Sequence, residues 1–168
     1  MSAERIISIL FISLFLFFLI GFTLDPEFHM LVDRLFVSKE KDKVSVVNTI
    51  KHYNKAFTDF YTSDGVKASL HNFPAITGIR HVIFRDIGFL RNMDRILIYD
   101  MADMKAVGVS FINRLSAEVI VFEEWNYQYK RRHDRMSISE IRGLGQGFKY
   151  MLKYEKGRWI ITEIIPFD

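Results

Sequence analysis

The residues best suited to chemistry lie on one face of a single predicted strand. The segment Ala117–Tyr129 alternates with period two, as a strand does. This alternation places Glu123, Trp125 and Tyr127 on the same face. A carboxyl group surrounded by aromatic side chains can serve as a general acid or base if that face lines an enclosed space. These three residues are the candidate pocket, and the first half of the segment, apolar on both faces, is expected to be covered on both sides.

A structural role for the same carboxylate is the competing interpretation. One acid without a positioned partner is not a catalytic site. Glu123 would then lie at a solvated end of the strand and pair with a lysine or arginine of a neighbouring strand. We favour this interpretation and assign no catalytic residue.

The sequence offers no metal or cofactor site. The five histidines form no pair with a second ligand at helical or strand spacing, apart from a loose His29/Asp33 step, and the chain has no cysteine. Gly143, Gly145 and Gly147 read G-x-G-x-G, but a predicted strand follows them. Phosphate binding by such a motif requires a following helix, so bulges at the start of the strand are expected instead.

A basic run follows the central segment. Its cations Lys130, Arg131, Arg132 and Arg135 could face anionic lipid or an acidic partner, although such a run is more often a solvated loop. These residues are not interleaved with aromatic residues on one sheet face, and the net charge is only +3. Nucleic acid is therefore not expected as a partner.

The amino-terminal region predicts a membrane anchor. Residues Ile6–Leu24 run nineteen positions without a charge, which at ~1.5 Å per residue gives about 28 Å of helix, enough to cross a bilayer core. A cleaved signal peptide is the alternative, since Arg5 supplies a weak positive start. The run is longer than the usual ~7–15 residue apolar region, however, and no small-x-small cleavage site follows. We therefore predict a transmembrane anchor over residues 1–24.

Charges near the anchor favour one orientation weakly. Arg5 and the terminal amine precede the span, while acidic residues such as Asp25 and Glu27 follow it. Arg34 and the lysines at positions 39, 41 and 43 argue the other way. We expect a cytoplasmic amino terminus and an extracytoplasmic carboxy-terminal domain, in the periplasm or an equivalent space. We expect residues 25–41 to form an amphipathic and charged connector and residues 42–168 to form the folded domain.

Hydrophobic periodicity in this domain predicts helices first and strands afterwards. Helices are predicted over residues 42–62, 66–72 and 77–92. Strands are predicted over residues 96–101, 105–113, 117–129, 146–155 and 159–165. The stretch 96–101 either continues the third helix or begins the sheet, and we favour a strand. The predicted fold class is α+β, with helices packed on a strongly curved antiparallel sheet and Trp159 in its core.

This order of elements carries a family resemblance. The segments Ala117–Val119 and Glu124–Tyr127, followed by Tyr150-x-Leu152 and by Gly157-Arg158-Trp159-x-Ile161, resemble the nuclear transport factor 2-like superfamily, a cone-shaped α+β fold. The resemblance covers about residues 42–168. With an anchor in front, the layout is similar to the inner-membrane assembly subunits of type IV secretion systems. It is also similar to the carboxy-terminal domain of cyanobacterial and plastid division proteins.

The resemblance implies a non-catalytic interaction module. Enzymes of the superfamily place an Asp/His or Asp/Tyr pair inside the cone, and no motif here carries such a pair to a numbered position. The favoured function is a non-enzymatic, membrane-tethered interaction or assembly domain within a larger membrane complex, whose subunits could include further copies of this chain. The alternative is a small-ligand-binding or hydrolytic cone with a pocket near Glu123, Trp125 and Tyr127. An Asp or His opposite Glu123 would favour the alternative.

Overall fold

The computed structural model describes residues 39–66 and 73–168. The predicted anchor (1–24) lies outside the described residues, as do almost all of the connector (25–41) and of the helix predicted over 66–72. Residues 39–168 form one compact unit. Within the described ranges, no helix is long and apolar enough to span a membrane.

Helix α1 covers Lys39–Thr62 and begins three residues before the predicted start at Asp42, which lies buried inside the helix. Its apolar positions recur at three- and four-residue steps and face the sheet. The helix ends in a Schellman turn: the Gly65 N–H donates to the Phe60 carbonyl at 2.8 Å, and the Asp64 N–H to the Tyr61 carbonyl at 3.2 Å. Gly65 has a left-handed conformation with φ of 76°, and that conformation already begins at Asp64, with φ of 55°.

Helix α2 covers Thr77–Asn92, as the sequence predicted, and buries Ile83 and Ile87. The short segment before it forms a parallel bridge from Ala75 to Ile161 of the last strand. This bridge provides backbone partners for the outer edge of that strand, whose other edge belongs to the sheet.

Four antiparallel strands form the sheet in the order β1-β2-β3-β4. They are β1 (Arg95–Asn113), β2 (Ser116–Arg131), β3 (Arg142–Glu155) and β4 (Arg158–Phe167). The strands predicted over 96–101 and 105–113 are one strand, because β1 continues through register shifts at Met101/Asp103 and Ala106/Gly108. Such bulges bend a strand and increase its twist. The α+β class with a curved antiparallel sheet is therefore confirmed.

The two faces of β2 differ in burial. Val119, Val121, Glu123 and Trp125 are buried against the helices, as the alternation predicted for one common face. On the opposite face Phe122 is 48% exposed. The expectation that the first half of this strand is covered on both faces was therefore wrong for that residue.

The glycine motif lies in regular sheet. Gly143, Gly145 and Gly147 pair with β2 without a register shift, so the expected bulges are absent from this pairing. A Cβ atom at Gly147 would lie 2.6 Å from the ring of Phe167. Glycine at this position therefore makes room for that aromatic ring, which also contacts Phe122 at a centroid distance of 5.7 Å.

The core lies between the helices and the inner face of the sheet. Its largest fully buried side chain is Trp159 at the start of β4, 2% exposed, as the sequence predicted. The ring of Trp159 contacts Tyr154 at 5.4 Å and Phe111 at 6.1 Å. The closing β3–β4 hairpin is therefore anchored to β1 through aromatic packing.

Replacing Trp159 by alanine should lower the free energy of unfolding by ~3–5 kcal/mol, because large aromatic truncations leave a cavity in the core. Phe89→Ala is the matched control, since this ring of α2 is 64% exposed, and it should change stability by less than ~0.5 kcal/mol. Chemical unfolding of both variants tests this expectation. Equal losses of stability would mean that the core face of β4 is assigned wrongly.

Candidate functional site

A cavity of about 160 Å³ lies between α1 and the inner face of the sheet. Most of its lining is aromatic or aliphatic, and its polar groups are one carboxylate, one amide, one indole N–H and the tyrosine hydroxyls. The lining residues are Tyr53, Asn54, Phe57, Tyr99, Glu123, Trp125, Leu144, Phe148, Tyr150 and Ile164. Two of the three residues of the predicted pocket therefore line one cavity.

Glu123 forms the polar centre of this cavity and is 2% exposed. Its Oε1 accepts hydrogen bonds from Asn54 Nδ2 at 2.6 Å and from the Tyr150 hydroxyl at 2.7 Å. Its Oε2 accepts one from Trp125 Nε1 at 2.9 Å. The expectation that Glu123 lies at a solvated end and pairs with a lysine or arginine was wrong, since the site is buried and all three donors are neutral.

The three donors come from three elements. Asn54 lies in the middle of α1, Trp125 is two residues after Glu123 on β2, and Tyr150 lies on the adjacent strand β3. Period-two alternation gives Glu123 and Trp125 the same face. The carboxylate therefore joins the helix to two strands of the sheet at one point.

Burial and the nearby carboxylate raise the pKa of two tyrosines in the cavity. Burial, and then the charge of Glu123, raise the pKa of Tyr150 far above its usual range, and the hydrogen bond to Glu123 acts in the same direction. Burial and the same charge also raise the pKa of Tyr53. Tyrosine hydroxyls are protonated at neutral pH in any case, and the raised pKa extends this to alkaline pH, so the Tyr150 hydroxyl keeps the proton that it donates to Glu123.

Aromatic rings form the wall beside the carboxylate. The centroid of Phe57 lies 5.2 Å from that of Tyr99 and 5.8 Å from that of Trp125, and the Tyr99 and Trp125 centroids are 5.7 Å apart. Tyr127, the third residue of the predicted pocket, is not part of the lining. Its ring lies beside Tyr99 at 6.2 Å and continues the aromatic line along the sheet.

The arrangement restricts the chemistry of the cavity. Among the described residues that line it there is no aspartate and no histidine. In the described ranges, no group of three or more His, Cys, Asp or Glu side chains could hold a metal ion. A general base needs a partner that positions it and a free approach to the proton it removes. Glu123 instead has three fixed donors, so its geometry favours a structural role or ligand binding.

The basic loop has intramolecular contacts through the side chains of its arginines and the backbone of Lys130. Arg131 Nη1 donates to Asp134 Oδ2 at 3.0 Å, and Lys130 forms an antiparallel bridge with Ser137. Arg135 Nη1 donates to the backbone carbonyl at the end of α1, that of Thr62, at 3.0 Å. These contacts hold the loop against the carboxy-terminal end of the helix.

Asp64 fixes the same loop by a second route. Its carboxylate accepts hydrogen bonds from Arg132 Nε at 2.6 Å and from Arg91 Nε at 3.2 Å. This aspartate is mostly buried and occupies the left-handed position that ends α1. The turn after α1, the end of α2 and the β2–β3 loop are thereby tied together, and Arg132 acts as a structural residue.

Sequence reasoning missed the residues that face Glu123 across the cavity. Asn54 and Tyr150 provide its two shortest hydrogen bonds, and Phe148 adds to the lining. One signal was present, since an amide at position 54 interrupts the apolar stripe of α1. A polar residue on a buried helix face requires a partner, and Glu123 provides it.

Comparison with known proteins shows the fold. No protein-family model and no curated protein matches this chain. The intermembrane space region of the chloroplast protein ARC6 is structurally similar, with a TM-score of 0.60 and 13% identity over 71% of this chain and 92% of that one. An NTF-2-like protein of unknown function from Shewanella oneidensis MR-1 matches at a TM-score of 0.44 and 12% identity, over 73% of this chain and 98% of that one. The described domain therefore shares the fold of the ARC6 intermembrane space region.

Replacing Glu123 by glutamine should destabilise the domain by ~1–3 kcal/mol. Both carboxylate oxygens now accept hydrogen bonds, and the glutamine would replace one of them by an NH₂ group that faces a donor. The adjacent Glu124 is the matched control: it lies on the opposite face and is exposed. Glu124→Gln should change stability by less than ~0.5 kcal/mol. Chemical unfolding at neutral pH measures both, and a Glu123→Gln domain as stable as the Glu124→Gln domain would contradict the network.

Proposed function

We propose that this chain is a non-enzymatic binding domain that is tethered to a membrane through residues 1–24 and works within a larger membrane complex. One observation carries the proposal. The only carboxylate of the described cavity lining, Glu123, is held by three neutral donors, and no described Asp or His faces it. A cavity with this lining can hold a structure or a ligand, but it provides no acid–base pair for hydrolysis.

The polar centre supports binding because it is preorganised. Asn54, Trp125 and Tyr150 fix the carboxylate from three directions, and the raised pKa of Tyr150 keeps its hydroxyl a donor. A base that must accept a proton during a reaction would weaken these hydrogen bonds at each turnover. Fixed hydrogen bonds of this kind suit recognition, because they lower the cost of ordering the site.

A surface next to the cavity suits contact with another subunit. Four large apolar side chains are exposed within nine residues that run through the β2–β3 loop into the start of β3, and we name them the apolar rim: Met136, Ile138, Ile141 and Leu144. Clustered exposed apolar residues mark interaction surfaces more often than scattered ones do. We assign this rim to the contact with a protein subunit of the complex, which could be a further copy of this chain.

The location is part of the same proposal. The charge-free run Ile6–Leu24 supports a single membrane helix with a cytoplasmic amino terminus. We assign the domain to the opposite side, in the periplasm or an equivalent space. The structurally similar region of ARC6 belongs to an intermembrane space, and such a location suits a domain that connects subunits outside the cytoplasm.

Substitution of the apolar rim tests the assembly role. Membranes that contain the full chain are solubilised in mild detergent and separated by native electrophoresis. The chain should migrate in a complex larger than itself, and Ile141→Asp should remove it from that complex, because a charge placed at an apolar contact must be desolvated. Ile141 is 69% exposed, so the domain should stay folded.

Ile112→Asp is the matched control, since Ile112 is 63% exposed and lies at the end of β1, outside the rim. This variant should stay in the complex. A chain that migrates alone in mild detergent, or two variants that behave alike, would count against a subunit contact at the rim. Release of the chain from membranes by carbonate would contradict the proposed anchor.

A second function is favoured by the cavity itself. Its volume of about 160 Å³ is close to that of engineered apolar cavities that bind benzene. Leu144, an exposed residue of the rim, also belongs to the cavity lining. Binding of a small molecule is therefore compatible with the assembly role, and the same segment would contact both the ligand and the partner.

A further inference from the structure

Among the described residues, the carboxylate of Glu123 has no cationic partner. Its hydrogen-bond donors are an amide, an indole and a phenol, and in the described part of the chain no lysine or arginine forms an ion pair with it. Buried charges in proteins are normally paired, because removing them from water is costly. Neutral donors offset part of this cost but supply no positive charge.

Hydrogen-bond capacity remains on one oxygen. Oε1 accepts from both Asn54 and Tyr150, whereas Trp125 is the only described residue that donates to Oε2. A carboxylate has about four acceptor positions, two on each oxygen. Oε2 can therefore accept one more hydrogen bond, from a group inside the cavity.

The remaining lining provides a second attraction for positive charge. Phe57, Tyr99 and Trp125 lie within 6 Å of one another, and Tyr53 and Phe148 add two more rings to the lining. Aromatic rings attract cations through their quadrupoles, most strongly at sites that exclude water. A carboxylate beside several aromatic rings is the combination that recognises alkylated ammonium groups.

Size and donor type exclude drug-sized molecules, hard metal ions and anions. A cavity of about 160 Å³ is well below the range of drug-sized pockets, so the ligand has few heavy atoms. One carboxylate and one amide provide too few oxygens for Ca²⁺ or Mg²⁺, which take about six or more. An anion would meet the like charge of Glu123.

From these observations we infer that the cavity binds a small organic cation, with an alkylated ammonium group among the aromatic rings and a donor of the ligand on Glu123 Oε2. The inference extends the second, ligand-binding function proposed above. It is independent of the subunit contact at the rim, so its failure would leave the Ile141→Asp result unaffected.

Calorimetric titration of the full chain in detergent tests the inference with a pair of probes. Choline carries a quaternary ammonium group and a hydroxyl donor, and 3,3-dimethylbutan-1-ol is its neutral isostere. Choline should bind with a Kd at least about tenfold lower than that of the neutral alcohol, because only choline has the charge. Sodium chloride at the same concentration controls for ionic strength.

Two variants locate the binding. Glu123→Gln should weaken choline binding at least about tenfold and weaken binding of the neutral alcohol clearly less, because only choline also loses a charge attraction. Phe57→Leu removes one ring without touching the hydrogen-bond network, so it provides the test if Glu123→Gln fails to fold. It should weaken choline binding about three- to tenfold.

Three outcomes would overturn the inference. If choline and its isostere bind with equal affinity, the cavity does not select for positive charge. Choline binding that survives both substitutions would place it outside the cavity. The third outcome is that choline does not bind at concentrations up to about 10 mM. A Kd above this value is weaker than that of a weak specific ligand, so the cavity would not be a site for such a cation.

Discussion

The burial of one carboxylate is the constraint on which the rest of this domain depends. Glu123 is 2% exposed, and a charge in such a place must be compensated by fixed donors. Asn54, Trp125 and Tyr150 meet this need from α1, β2 and β3. The hydrogen bonds to Glu123 therefore fix the rotation of α1 about its axis and determine which face of β3 points to the core. A shift of one residue in either strand would turn the network outward.

The curvature of the sheet provides the space around this carboxylate. Bulges in β1 bend the strand across its length, so the inner face encloses α1 on one side and leaves a cavity beside it. Beyond the cavity, Asp64 binds Arg91 and Arg132 and fixes the β2–β3 loop to the ends of both helices. This loop carries most of the apolar rim, which is thereby held in place. An ordered rim beside an ordered cavity suits recognition, because little conformational entropy remains to be lost on binding.

Features set by local sequence could be predicted, and features set by contacts between distant residues could not. Local periodicity was sufficient for the bounds of α2 and for the common face of Glu123 and Trp125, because both follow from the repeat of the backbone. The environment of Glu123 could not be predicted, since its partner Asn54 is 69 positions away. The continuity of β1 was missed because bulges interrupt its alternation. The role of Gly147 was missed because it depends on a ring from β4.

A double-mutant cycle between Glu123 and Tyr150 tests the central claim most directly. Glu123→Gln, Tyr150→Phe and the double variant are compared with the unmodified chain by chemical unfolding at neutral pH. Two groups joined by a buried hydrogen bond of 2.7 Å should be coupled, with an interaction free energy of ~0.5–3 kcal/mol. Effects that add within ~0.3–0.5 kcal/mol would mean that the two side chains act independently. That result would contradict the account of a carboxylate held by its neighbours.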